Sequence, residues 1–199
     1  MGEGYGPVVV ARRAMSPGDL RGKRVAIPGE KTTAALLARI YLGEFDPLIR
    51  PFDQIFEAVD SGDAEAGVLI HEGQLTYASR GYHKVQDFGE QWEQDTGLPL
   101  PLGLDVVRSD LGMELAQEIN HAMKASIDWA YANEDEALEY ALKFGRGLER
   151  DLGRRFVRMY VSELTRDMGE RGRKGLETLF ERAAAAGIIE KSPSLTVIS

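Results

Sequence analysis

Ala66-Gly67-Val68-Leu69-Ile70-His71 is an unbroken apolar run that ends in a histidine and is followed by Glu72 and Gly73. A run this short, without alternation and bounded by turn residues, reads as a strand buried on both faces. That is the pattern of a mainly parallel sheet with helices on either side. His71 then stands at the carboxyl end of the strand, the edge where open α/β sheets bind ligands. Upstream, Pro7-Val8-Val9-Val10-Ala11-Arg12 and Arg24-Val25-Ala26-Ile27-Pro28 read as strands, with a third over 48–52. Helices are predicted over 34–42, with Thr32 or Thr33 as its cap, and over 54–60. Downstream, a strand over 84–88 and a short helix over 89–95 complete the α/β pattern.

Residues 97–103, Gly-Leu-Pro-Leu-Pro-Leu-Gly, cannot form a helix, because two prolines remove donors and impose extended geometry on their neighbours. They read as a segment crossing between lobes. Leu104 to Arg108 is a second valine-containing run ending in arginine, like Val8 to Arg12, and the two are expected to pair as a hinge. From Asp110 the pattern turns helical. Leu111, Leu115, Ile119, Met123 and Ile127 recur every fourth residue and share one face. Asn133 before three acidic residues is expected to cap another helix. Leu152, Phe156, Tyr160 and Leu164 mark a third, and Leu176, Leu179, Phe180 and Ala183 a fourth closed by Gly187. These helices have apolar faces but no sheet of their own to cover. The chain reads as one complete small α/β lobe over 13–98, crossing segments over 1–12 and 99–109, and the helical part of an incomplete second lobe over 110–199.

The formal net charge of −8 disfavours nucleic acid and anionic membrane surfaces as partners. No stretch approaches the ~18 apolar residues of a membrane span, and no export signal is visible at Met1, which points to the cytoplasm. The absence of cysteine removes disulfides, thiolate metal sites and a cysteine nucleophile.

Gly29-Glu30-Lys31-Thr32 lacks the glycines of a phosphate-binding loop, since Glu30 and Val25 occupy their positions. The helix start at Thr32, Thr33 and Ala34 reads equally as a plain cap or as a carboxylate site, where free amides and hydroxyls meet an anion favoured by the helix dipole. His71-Glu72 is not a zinc motif, because Leu75 stands where the second histidine is needed; no metal is expected. Of three histidines, only His71 joins a strand end to a polar neighbour, and an imidazole there can accept a proton. On residue type alone, a histidine in that place is more often structural.

Four of these stretches, 5–12, 25–34 with Thr32-Thr33-Ala34, 66–72 with its His-Glu end, and 96–103 with Leu-Pro-Leu-Pro, resemble the 1,4-dihydroxy-6-naphthoate synthase family in sequence and order. The resemblance implies a clamshell fold like that of type II periplasmic binding proteins. It implies a carbon–carbon lyase that opens cyclic dehypoxanthine futalosine to 1,4-dihydroxy-6-naphthoate on the futalosine route to menaquinone, with no cofactor. It also implies that His71 is the proton acceptor and that Thr33 and Ala34 contact a small carboxylated substrate. Members of that family carry a further amino-terminal segment, so the chain is expected to be truncated relative to them, with a separate amino-terminal fragment as a candidate partner. The competing expectations are a solute-binding protein of the same fold and an inactive fragment of the enzyme.

Overall fold

The computed structural model describes every residue except Arg146, Leu148 and Ser199. Five strands, β1 (Val8–Ala11), β2 (Arg24–Ile27), β3 (Asp46–Ile49), β4 (Ala66–Leu69) and β5 (His83–Asp87), form one sheet in the order β3-β2-β4-β1-β5. β2 runs parallel to β3 and β4, whereas β1 lies antiparallel between β4 and β5, with Val8 opposite both Leu69 and Asp87. A register shift between Val9 and Val10 bends the β1–β5 pair.

Apolar residues occupy both faces of the inner strands because both faces are covered. Val9, Ala11, Val25, Ile27, Ala66 and Val68 point to one side, where α1 (Thr33–Tyr41) and α4 (Phe88–Thr96) supply Leu37, Ala38, Phe88 and Trp92. Val8, Val10, Ala26 and Leu69 point to the other, against Ile55, Ala58 and Val59 of α2 (Ile55–Asp60). The two aromatic residues of α4 are fully buried core, as their spacing implies. After β4, the chain makes the short helix α3 (Gly73–Thr76) before entering β5.

The carboxyl-terminal half is helical: α5 (Met113–Ala132), α6 (Glu134–Leu142), α7 (Arg150–Tyr160), α8 (Glu163–Arg166) and α9 (Gly169–Ala185). Charged pairs tie them together. Glu134 meets Arg158 at 2.7 Å, Asp135 meets Arg154 at 2.7 Å, and Arg166 pairs with Asp128. Asn133 does not cap α6; its side-chain amide donates back to the Trp129 carbonyl and ends α5 instead.

Three further expectations change. Residues 104–108 form no strand, and Val8–Ala11 is taken up by the sheet, so the two do not pair. The crossing segments meet earlier, at an isolated antiparallel bridge in which Gly2 and Leu100 exchange two hydrogen bonds of 2.7 Å. The third strand lies at 46–49, and Phe52 opens a short 3-10 turn. The fourth carboxyl-terminal helix, α9, packs on the first lobe: Leu179 joins the α1–α4 core layer, and Arg182 pairs with Asp95 of α4 at 3.0 Å. By contrast, the apolar stripe of α5 is open, with Leu115 41%, Ile119 38% and Met123 41% exposed.

Gly67 marks how closely α2 approaches the sheet, since a Cβ there meets Ile55 Cγ2 at 2.5 Å and Val59 Cγ2 at 3.1 Å. Gly67→Ala is expected to lower stability by about 1–3 kcal/mol through overpacking. Gly103→Ala, which meets open space, should leave it unchanged. Urea denaturation of both variants checks this.

Candidate active site

The topology brings three strand ends to one edge of the sheet. β2 and β4 end there, and β1, running the other way, begins there. A cavity of about 380 Å³ at this edge is lined by Pro7, Lys31, Thr32, Thr33, Ala34, Ile70, His71, Leu102, Gly103 and Tyr160. All four residues singled out in the sequence, His71, Thr32, Thr33 and Ala34, thus face one space. A larger hollow of about 600 Å³ opens on the far side of the same turn, between α1 and α9, and does not include His71.

Thr32 is the cap of α1. Its hydroxyl accepts from the Ala35 N–H at 3.1 Å and donates to the Gly29 carbonyl at 2.8 Å. The hydroxyl of Thr33 donates to the Leu102 carbonyl at 3.3 Å, fastening the crossing segment over the helix start. With Thr32 occupied in this way, the N–H groups of the first turn carry the positive end of the helix dipole at the cavity wall. Lys31 adds a full positive charge at the exposed rim.

His71 follows β4 by two residues and adopts φ 56°. Among the described residues it is the one non-glycine with positive φ, a conformation costing roughly 1–3 kcal/mol that persists where the surroundings enforce it. Its ring lies 4.5 Å from that of Phe52 and 6.0 Å from that of Phe156 on α7. The left-handed backbone turns the chain off the strand axis, so His71 and Glu72 do not follow strand alternation. Glu72 begins the α3 turn, and its carbonyl accepts from the Thr76 hydroxyl at 3.2 Å.

Tyr160 closes the remaining side. It packs 4.6 Å from Phe156 and 5.7 Å, edge to face, from Tyr5, whose hydroxyl donates to the Met159 carbonyl at 2.6 Å. Burial pushes the Tyr160 phenol up, and burial followed by neighbouring charge pushes Tyr5 up to about 12, so both stay protonated at neutral pH. Pro7, Phe52 and Tyr160 were not singled out as site residues from the sequence. Tyr160 carries only a helix-face signal, Pro7 reaches the cavity because β1 enters the sheet backwards, and Phe52 lies in the 3-10 turn that follows β3.

Residues 1–185 match the menaquinone biosynthesis family. The chain belongs to that family. It is 39% identical over 193 residues to a 1,4-dihydroxy-6-naphthoate synthase of Thermus thermophilus, covering 97% of this chain and 70% of that protein. A 1,4-dihydroxy-6-naphthoate synthase of Streptomyces coelicolor is 36% identical over 195 residues, covering 95% of this chain and 68% of that one. A crystal structure of a protein from Archaeoglobus fulgidus superposes with a TM-score of 0.89 at 47% identity, over 94% of this chain and 70% of the other. At 11% identity and a TM-score of 0.57, an alkanesulfonate-binding protein of Xanthomonas axonopodis covers 99% of this chain and 69% of its own, which marks the fold as periplasmic-binding-protein-like. Membership makes the chain an enzyme of menaquinone biosynthesis. No helix among the described residues is long and apolar enough to cross a membrane.

If Thr32 holds the helix start as described, Thr32→Ala should destabilise this family member by about 0.5–2 kcal/mol, while Thr32→Ser stays near the parent. Thermal melts of the two variants decide it.

Proposed function

We propose that the chain is a cytoplasmic carbon–carbon lyase that converts cyclic dehypoxanthine futalosine to 1,4-dihydroxy-6-naphthoate, with His71 as the proton acceptor. The observation that carries this reading is the shared cavity: the imidazole of His71 and the amide-rich start of α1 face one space of a size for a single small molecule. The names of the relatives from Thermus and Streptomyces supply the product, 1,4-dihydroxy-6-naphthoate, and the sequence resemblance supplies the substrate. In this reading the first turn of α1, with Thr33, Ala34 and Lys31, holds the substrate carboxylate. That fixes the reacting carbon or hydroxyl in front of His71, and proximity converts proton transfer into a first-order step. Tyr160 and Phe156 exclude water beside the imidazole. The chemistry assigned to these residues calls for no metal or cofactor.

The open face of α5 belongs to the same proposal. Leu115, Ile119 and Met123 form a contiguous apolar stripe of a kind that marks an interaction surface. About 30% of the Thermus relative lies outside its match to this chain. The proposed occupant of the stripe is a polypeptide segment equivalent to that unmatched part, supplied as upstream sequence or as a separate chain.

The test is conversion of cyclic dehypoxanthine futalosine by the 199-residue chain and by a version extended upstream, each beside its His71→Ala variant. His71→Ala is expected to lower turnover by roughly 10²–10⁴-fold. Full activity without His71 would sink the mechanism, and saturable binding without turnover in the extended form would make the protein a binding module. Extension should also reduce binding of a hydrophobic dye to the α5 face; undiminished dye binding would remove the proposed occupant.

A further inference from the structure

We infer that Gln74 is a positioning residue that holds His71 and Tyr160 in register at the cavity wall. This rests on the reading of His71 as the base for its effect on turnover, but not for its structural content.

Gln74 lies in α3, three residues beyond His71, and is not among the residues lining the cavity. Its side-chain amide has a single orientation that satisfies every neighbour. In it, Nε2 donates to the Gly6 carbonyl at 2.8 Å, and Oε1 accepts from the His71 N–H at 3.3 Å and from the Tyr160 hydroxyl at 3.0 Å. The Gln74 N–H also donates to the His71 carbonyl at 3.2 Å. One residue therefore holds both the N–H and the C=O of the only described non-glycine with left-handed backbone. It ties together three parts of the chain that are far apart in sequence: the start of β1, the end of β4 and the last turn of α7.

The chemical consequences follow from donor and acceptor counts. Gln74 Oε1 accepts from the Tyr160 hydroxyl, so the phenolic proton is directed at Gln74 and the Tyr160 oxygen keeps its lone pairs as acceptors. Anchoring the His71 peptide fixes where its Cβ points, and hence how the imidazole lies between Phe52 and Phe156. Neither effect requires Gln74 to touch the substrate. Other amide orientations leave Gly6 O facing a second acceptor, so the network has one stable polarity.

The chain has three histidines, His71, His83 and His121, so the His71 ring signal in a carbon–proton NMR spectrum is assigned by its loss in His71→Ala. The two aromatic rings beside it make that signal sensitive to ring orientation. Gln74→Met, similar in length and without hydrogen-bonding groups, is expected to displace the His71 signal while His83 and His121 stay in place. Gln74→Glu sets a carboxylate oxygen against the Gly6 carbonyl and should displace the signal as well, since the donor is lost. In turnover, Gln74→Met should lower kcat roughly ten- to a hundred-fold with KM within about three-fold, the signature of a misplaced base. The inference is overturned if the His71 signal does not move in Gln74→Met, if all three histidine signals move together, or if Gln74→Glu leaves the His71 signal at its parent position. Displacement of the signal alongside full activity of His71→Ala would instead refute the base assignment and leave the positioning role standing.

Discussion

One strand, Val8–Ala11, runs against the other four strands from a place in the interior of the sheet, and the site depends on that reversal. In an all-parallel sheet, the edge holding the ends of β2 and β4 would face the far end of β1. Reversal puts Pro7 there instead, beside Leu69 and within reach of His71. It also carries residues 1–7 across the binding edge, where Gly2 meets Leu100 and Tyr5 reaches the Met159 carbonyl. The strand tolerates its place because Val8 and Val10 fill one core layer while Val9 and Ala11 fill the other.

The α/β half was legible in the sequence because its signals are local. An apolar run of four to six residues between turn residues has few alternatives, and four of the five strands fall within two residues of their expected places, β3 ending three residues early. What sequence could not supply was direction and partnership. Nothing in Pro7 to Arg12 distinguishes an antiparallel central strand from half of a two-stranded hinge, and the pairing moved to Gly2 and Leu100 for that reason. The helical half shows the same limit. Periodicity identified the buried face of α9 and the apolar stripe of α5 alike, yet α9 lies on the first lobe and α5 is open. A repeat of four names a face, not what covers it.

At the site, the residues found from sequence are those whose position follows from an element end. His71 closes a strand, and Thr32 caps a helix through its own hydroxyl. Tyr160, Phe156 and Gln74 could not be found this way, because their roles arise only once α7 docks beside β4. The positive φ of His71 was equally hidden, since histidine carries no local preference strong enough to announce it. The observation that a non-glycine residue is held there, by hydrogen bonds from both sides of its peptide, is tertiary information.

The reversed strand also sets an order of assembly. β1 precedes the other four strands of its sheet, yet its two partners, β4 and β5, are the last two in chain order. During synthesis its valines gain a first partner only with β4 and a second only with β5, whereas β2, β3 and the helix between them can associate early through short loops. Closure of the sheet is thus a late, long-range event, and Leu179 of α9 seals the core layer later still. A chain stalled before that point would display an adhesive, unpaired Val8-Val9-Val10 segment. The segment most prone to stray pairing before closure is thus the one whose reversal builds the cavity.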